Sequence, residues 1–125
     1  MKGEYILENK WRYTEEVIDE FERENQNRRV KMLDAIPMDI NPQRIIAIND
    51  VYEYPEILDD YRMIRLKEAV ENQGWINKSI GGFSLLMLPN GDLIVNGGGN
   101  HRAVLSKELQ IPSVKAMVER LVYNE

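Results

Sequence analysis

The chain has no cysteine, so disulfides, thiolate metal sites and cysteine nucleophiles are all excluded. It has no apolar run near the roughly 20 residues that a helix needs to cross a bilayer. Its opening, Met1-Lys2-Gly3-Glu4-Tyr5, lacks the apolar centre of a secretory signal. It also lacks a basic excess: the formal net charge is −5, and only residues 97–125 carry slightly more basic than acidic side chains. Sequence-independent binding to nucleic acid draws on a basic surface, and nothing of that kind stands out here. These absences point to a cytoplasmic protein with no membrane partner, and they make DNA the less favoured partner. What is present is ordinary for a globular domain: 125 residues, 43% apolar and 30% charged. One hydrophobic core is as much as such a length fills comfortably.

Residues 1–29 read as an N-terminal helical extension ahead of a domain spanning 30–125. Thr14 suits a helix N-cap, with Glu15 and Glu16 in the first turn. Val17, Ile18 and Phe21 give the helix one apolar face, with Trp11 and Tyr13 as anchors, and Glu22–Arg29 is wholly polar. Ile36–Ile40 alternates up to Asn41-Pro42 and predicts a short strand. Residues 49–60 form an acidic loop. A helix follows, with Tyr61, Ile64, Leu66, Ala69 and Val70 on its apolar side, and stops at Gly74. Asn90-Gly91 between two apolar runs predicts a hairpin. A helix is expected from Asn100 to the Ile111-Pro112 boundary, and a last strand from the alternation of Val114, Ala116 and Val118.

The stretch that carries chemistry is Gly97-Gly98-Gly99-Asn100-His101-Arg102. Three glycines between a strand and a helix let backbone N–H groups face an anion, and the helix dipole adds favourable potential. His101 and Arg102 in the first turn add two cationic donors, and a guanidinium can grip phosphate oxygens bidentately. The plain alternative is that the glycines serve a tight turn and that His101 is a scaffold residue.

Val95–Val104, with this loop at its centre, resembles the signature of the ParB/sulfiredoxin-like superfamily. There the segment reads Gly-Gly-Cys-His-Arg in sulfiredoxins and Gly-Glu-Arg-Arg in ParB N-terminal domains. Val30–Met32 with Ile36–Ile40 is similar to the family's opening strands, Arg65–Asn72 to its nucleotide-side helix, and Ile111–Val114 to its closing joint. The resemblance implies an α+β fold, a small mixed sheet with helices packed on it. It also implies a bound nucleotide: ATP, ADP or CTP, with Mg. By position Gly97, Gly98, Gly99, Asn100, His101 and Arg102 would meet the phosphates, with Arg65 and Asn72 contributing from the helix. Glu68 stands where sulfiredoxins carry a small hydroxyl residue. Asn100 stands at the sulfiredoxin cysteine position, and an amide supplies no thiolate, so sulfinic-acid reduction is excluded.

The function so implied is nucleotide binding, with NTP hydrolysis or phosphoryl transfer to a small-molecule acceptor. Glu53, Asp50 and His101 are the candidate catalytic groups; no metal site is assigned. A non-catalytic regulatory or DNA-associated module of phage or plasmid type is the alternative. The oligomeric state, the base and the acceptor are left open by the sequence.

Overall fold

The structure, a computed structural model, describes residues 11–77 and 79–125. In chain order they form strand β1 (Arg12–Tyr13), helix α1 (Thr14–Glu24), strands β2 (Val30–Ile40) and β3 (Ile45–Ile48), and helix α2 (Tyr61–Gln73). Strands β4 (Ser84–Met87) and β5 (Leu93–Val95), helix α3 (Asn100–Glu108) and strand β6 (Val114–Tyr123) follow. The strands make one mixed sheet in the order β1-β3-β5-β4-β6-β2. The fold is α+β, with helices on both sheet faces.

Alternation along the strands divides the core in two. Leu85, Leu93, Val95, Val114, Ala116 and Val118 face α2 and α3 in the larger cluster, while Leu86, Leu88, Ile94 and Ala47 meet Val17 of α1 in the smaller. Each Val, Leu or Ile among them contributes about 1.5–3 kcal/mol when taken from water.

The hairpin forms where Asn90-Gly91 predicts it: Gly91 N–H donates to Leu88 O at 2.8 Å, and β4 pairs antiparallel with β5. The α3 start and the β6 alternation also match the sequence reading. Other expectations need correction. The short strand at Ile36–Ile40 is the end of an eleven-residue strand, and a shift in its pairing with β6 between Leu33 and Ile36 puts its two halves out of phase. That irregularity hides the strand from a period-two search.

Helix α2 is rotated from the expected orientation. Met63 is fully buried, and Leu66 and Val70 pack beside it, whereas Tyr61 is 69% and Ile64 47% exposed. The inward row is 63, 66 and 70, spaced as one helix face requires.

The segment from Trp11 to Glu24 is part of the domain rather than set ahead of it: β1 joins the sheet and α1 packs on one face. Trp11 is buried in the main cluster, and Arg12 and Tyr13 pair in parallel with Ala47 and Ile48. Thr14 is the first residue of α1, not its cap; its hydroxyl donates to Val95 O at 2.6 Å. Residues 26–29 after Phe21 are exposed, as their polarity predicts, but the run does not leave the body: Arg28 pairs with Glu125 and lies over the Tyr123 ring, and Asn124 N–H donates to Arg29 O at 2.9 Å. Residues 1–10 of the expected extension lie outside the described residues. Among the described residues no helix is long and apolar enough to cross a membrane.

Candidate functional site

Strand β5 leaves the sheet after Val95, and Gly97–Gly99 turn the chain into α3. Gly99 has φ +102°, and a Cβ placed there would lie 2.7 Å from Phe83 Cδ1 and 2.9 Å from Phe83 Cα. A Cβ on Gly98 would stand 3.0 Å from Gly82 O. Ser84 N–H donates to Gly98 O at 3.0 Å, which draws the two segments together. Glycine is thus required here by close backbone approach, the plainer of the two sequence readings. Gly97 and Gly98 nevertheless stay exposed, so the outer edge of the turn is open to solvent.

Asn100 is buried, and its side chain is spent on the protein itself. Oδ1 accepts the Asn49 N–H at 2.8 Å, and Nδ2 donates to Gly97 O at 3.4 Å. It clamps the end of β3 to the glycine turn. The structure commits the Asn100 side chain to these two bonds and not to the expected phosphate contact.

His101 is 9% exposed. Its Nε2 lies 2.7 Å from Asp60 Oδ2, and Tyr52 stands edge-on to the imidazole, with ring centroids 4.9 Å apart. Asp60 is itself the N-cap of α2: its Oδ1 accepts the Met63 N–H at 2.8 Å. One carboxylate therefore fixes the start of α2 and holds the sole histidine. Burial alone would push the Asp60 carboxyl up, but the hydrogen bonds from His101 and from the Met63 N–H outweigh it and hold the group below its ordinary value.

Arg102 Nη1 donates to Ser79 O at 3.1 Å. Its side chain also lines a cleft of about 100 Å³ between α2 and the Gly74–Ile76 segment, with Leu66, Val70 and Trp75. Arg65 and Asn72 are exposed on α2, and Arg65 Nη1 donates to Tyr61 Oη at 2.9 Å. Seven residues apart, they share a helix side turned about 100° from Leu66. They do not line the cleft.

Asp50 and Glu53 are exposed on the loop that carries Tyr52. The carboxylate that reaches His101 is Asp60. Among the described residues no three His, Cys, Asp or Glu side chains gather as a metal would need. Asp60 was legible in the sequence as a cap residue before an apolar helix, and Tyr52 by nothing local. No family model, curated protein or solved structure matches the chain.

Proposed function

We propose that the chain is a ParB-like nucleotide-binding protein that holds phosphates at the amino end of α3. NTP hydrolysis, or phosphoryl transfer to a small hydroxyl acceptor, is the activity such a site would serve. One observation carries the reading: two helix amino ends converge. Helix α3 begins at Asn100 directly after an exposed glycine turn, and α2 begins beside it, because its cap Asp60 is hydrogen-bonded to His101. The amino end of α3 favours an anion by about 0.3–1 kcal/mol, while that of α2 already holds the Asp60 carboxylate. Arg102 in the first turn adds a planar donor fork. A cytosolic setting, where nucleotides are supplied, belongs to the same proposal.

The cleft beside Arg102, about 100 Å³, is smaller than the ~300–1,000 Å³ of most small-molecule pockets. The residues present suit a phosphate group and one ring-sized body, with the rest of a nucleotide lying over the surface. Mg would arrive on the nucleotide phosphates, since the described residues bring no ligand cluster of their own.

Thermal-shift measurements against ATP, ADP, CTP and GTP, with and without magnesium, test the proposal. A ligand at 100 times its Kd should stabilise the fold by about 2.7 kcal/mol. A melting temperature unmoved by all four rules the reading out.

A further inference from the structure

His101 is the only histidine in the chain, and it is buried where the amino ends of α2 and α3 meet. Here Nε2 is engaged by Asp60 at 2.7 Å, and Nδ1 has no partner among the described residues. His101 is in the first turn of α3, and Nδ1 is not sealed from water there. A carboxylate at Nε2 selects the neutral tautomer that carries its proton there, and the lone pair is then left on Nδ1. The same carboxylate is held in place by the Met63 N–H on its other oxygen, so it presents a fixed partner to the imidazole. Tyr52 blocks a second direction with its ring.

We infer that Asp60 and His101 form an acid–base pair whose Nδ1 is the proton acceptor for a phosphate-bearing ligand at the amino end of α3. The inference rests on the proposed function for the ligand and adds the group that carries the proton. The step moves one proton only. A P–O–H of the ligand gives its proton to Nδ1, the oxygen keeps the electron pair, and an imidazolium faces a phosphate dianion. When the ligand arrives fully ionised, the same proton comes from solvent. Phosphate binding is therefore linked to protonation of His101. The charged and titratable groups around the ring are Asp60 at Nε2, Tyr52 at its edge, Arg62 acting on Asp60, and Arg102 next along α3.

A single histidine makes the test clean. Nitrogen-detected NMR of the full chain reads one imidazole, with inorganic phosphate and ATP as probes. In the free protein, above its titration midpoint, Nε2 should carry the proton and Nδ1 should be unprotonated. Adding ATP should raise the midpoint and move the Nδ1 signal toward its protonated position. ATP affinity should fall about tenfold per pH unit once both the free imidazole and the free terminal phosphate are deprotonated, up to the midpoint of the complex, as expected for one linked proton. Asp60→Asn keeps a competent cap for α2, so the fold should survive, but the tautomer preference and the affinity slope should both be lost. A proton on Nδ1 in the wild type overturns the inference. So does ATP binding that is flat with pH and leaves the midpoint in place. If neither phosphate nor ATP binds at any pH, the nucleotide reading falls with it. An Nε2–H tautomer that Asp60→Asn abolishes would then mark the pair as a clamp between helices and overturn its role toward a ligand.

Discussion

Gly99 shows how strictly shape can fix one residue. Its φ of +102° and its approach to Phe83 leave no room for a Cβ. Gly99→Ala should lower stability by about 2–4 kcal/mol, read as a shift in the urea midpoint with an unchanged slope. A midpoint within experimental error of wild type would show that Phe83 yields easily. Arg102 carries the opposite kind of claim. Arg102→Ala should weaken nucleotide binding by about 1.5–3 kcal/mol, because a charge-assisted and potentially bidentate contact is lost. Arg102→Lys restores the charge without the planar fork and should recover part of that loss. The bond to Ser79 O also ties the guanidinium to the segment before β4, so some stability should go with it. Titrating ATP into both variants beside melting curves separates the two effects: damaged melting with intact affinity would reduce Arg102 to a staple. Glycine at 97–99 and the basic pair after it were plain in the sequence. The commitment of Asn100 to Asn49 was not, since that contact joins positions 51 apart.

At the scale of elements, α2 and α3 are joined through one carboxylate. The Asp60 pKa is lowered in the fold, so its stabilising contribution is complete above its unfolded pKa of about 3.9 and is lost as the pH falls through the folded value. Glu20 beside Arg12 and Glu125 beside Arg28 are also lowered by hydrogen bonds from those guanidinium groups and act in the same direction. Stability should therefore drop on acidification below about pH 4, and Asp60→Asn should flatten part of that drop while leaving the rest to the two glutamates. Parallel acid titrations of wild type and variant, followed by far-UV circular dichroism, would show it; superimposable curves would exclude Asp60 from the acid transition. The existence of α2 followed from its pattern and from Gly74, but its inward face did not. Tyr61 and Ile64 are as apolar as Met63 and Leu66, and a helix with apolar residues on two sides does not declare which side is the core.

For the whole molecule, the placement of Trp11, β1 and α1 decides how much chain the fold needs. Trp11 is 4% exposed, Val17 is 2% exposed, and Thr14 bonds across to Val95. A chain beginning at Val30 should show no cooperative unfolding transition, whereas the full chain should unfold in one step. Trp11→Ala in the full chain should cost about 3–5 kcal/mol. A sharp transition in the shortened chain would restore the reading of residues 1–29 as an appendage. The sequence by itself determined what local backbone preference controls: the Asn90-Gly91 hairpin, the entry into α3 and the alternation of β6. Tertiary structure alone decided the rest. Strand β3, Ile45–Ile48, is buried on both sheet faces and so has no alternation to read. Strand β2 loses its phase where its register with β6 shifts. The meeting of Asp60 with His101, 41 positions apart, depends on how two helices stack on one sheet, and local propensity carries no information about that distance.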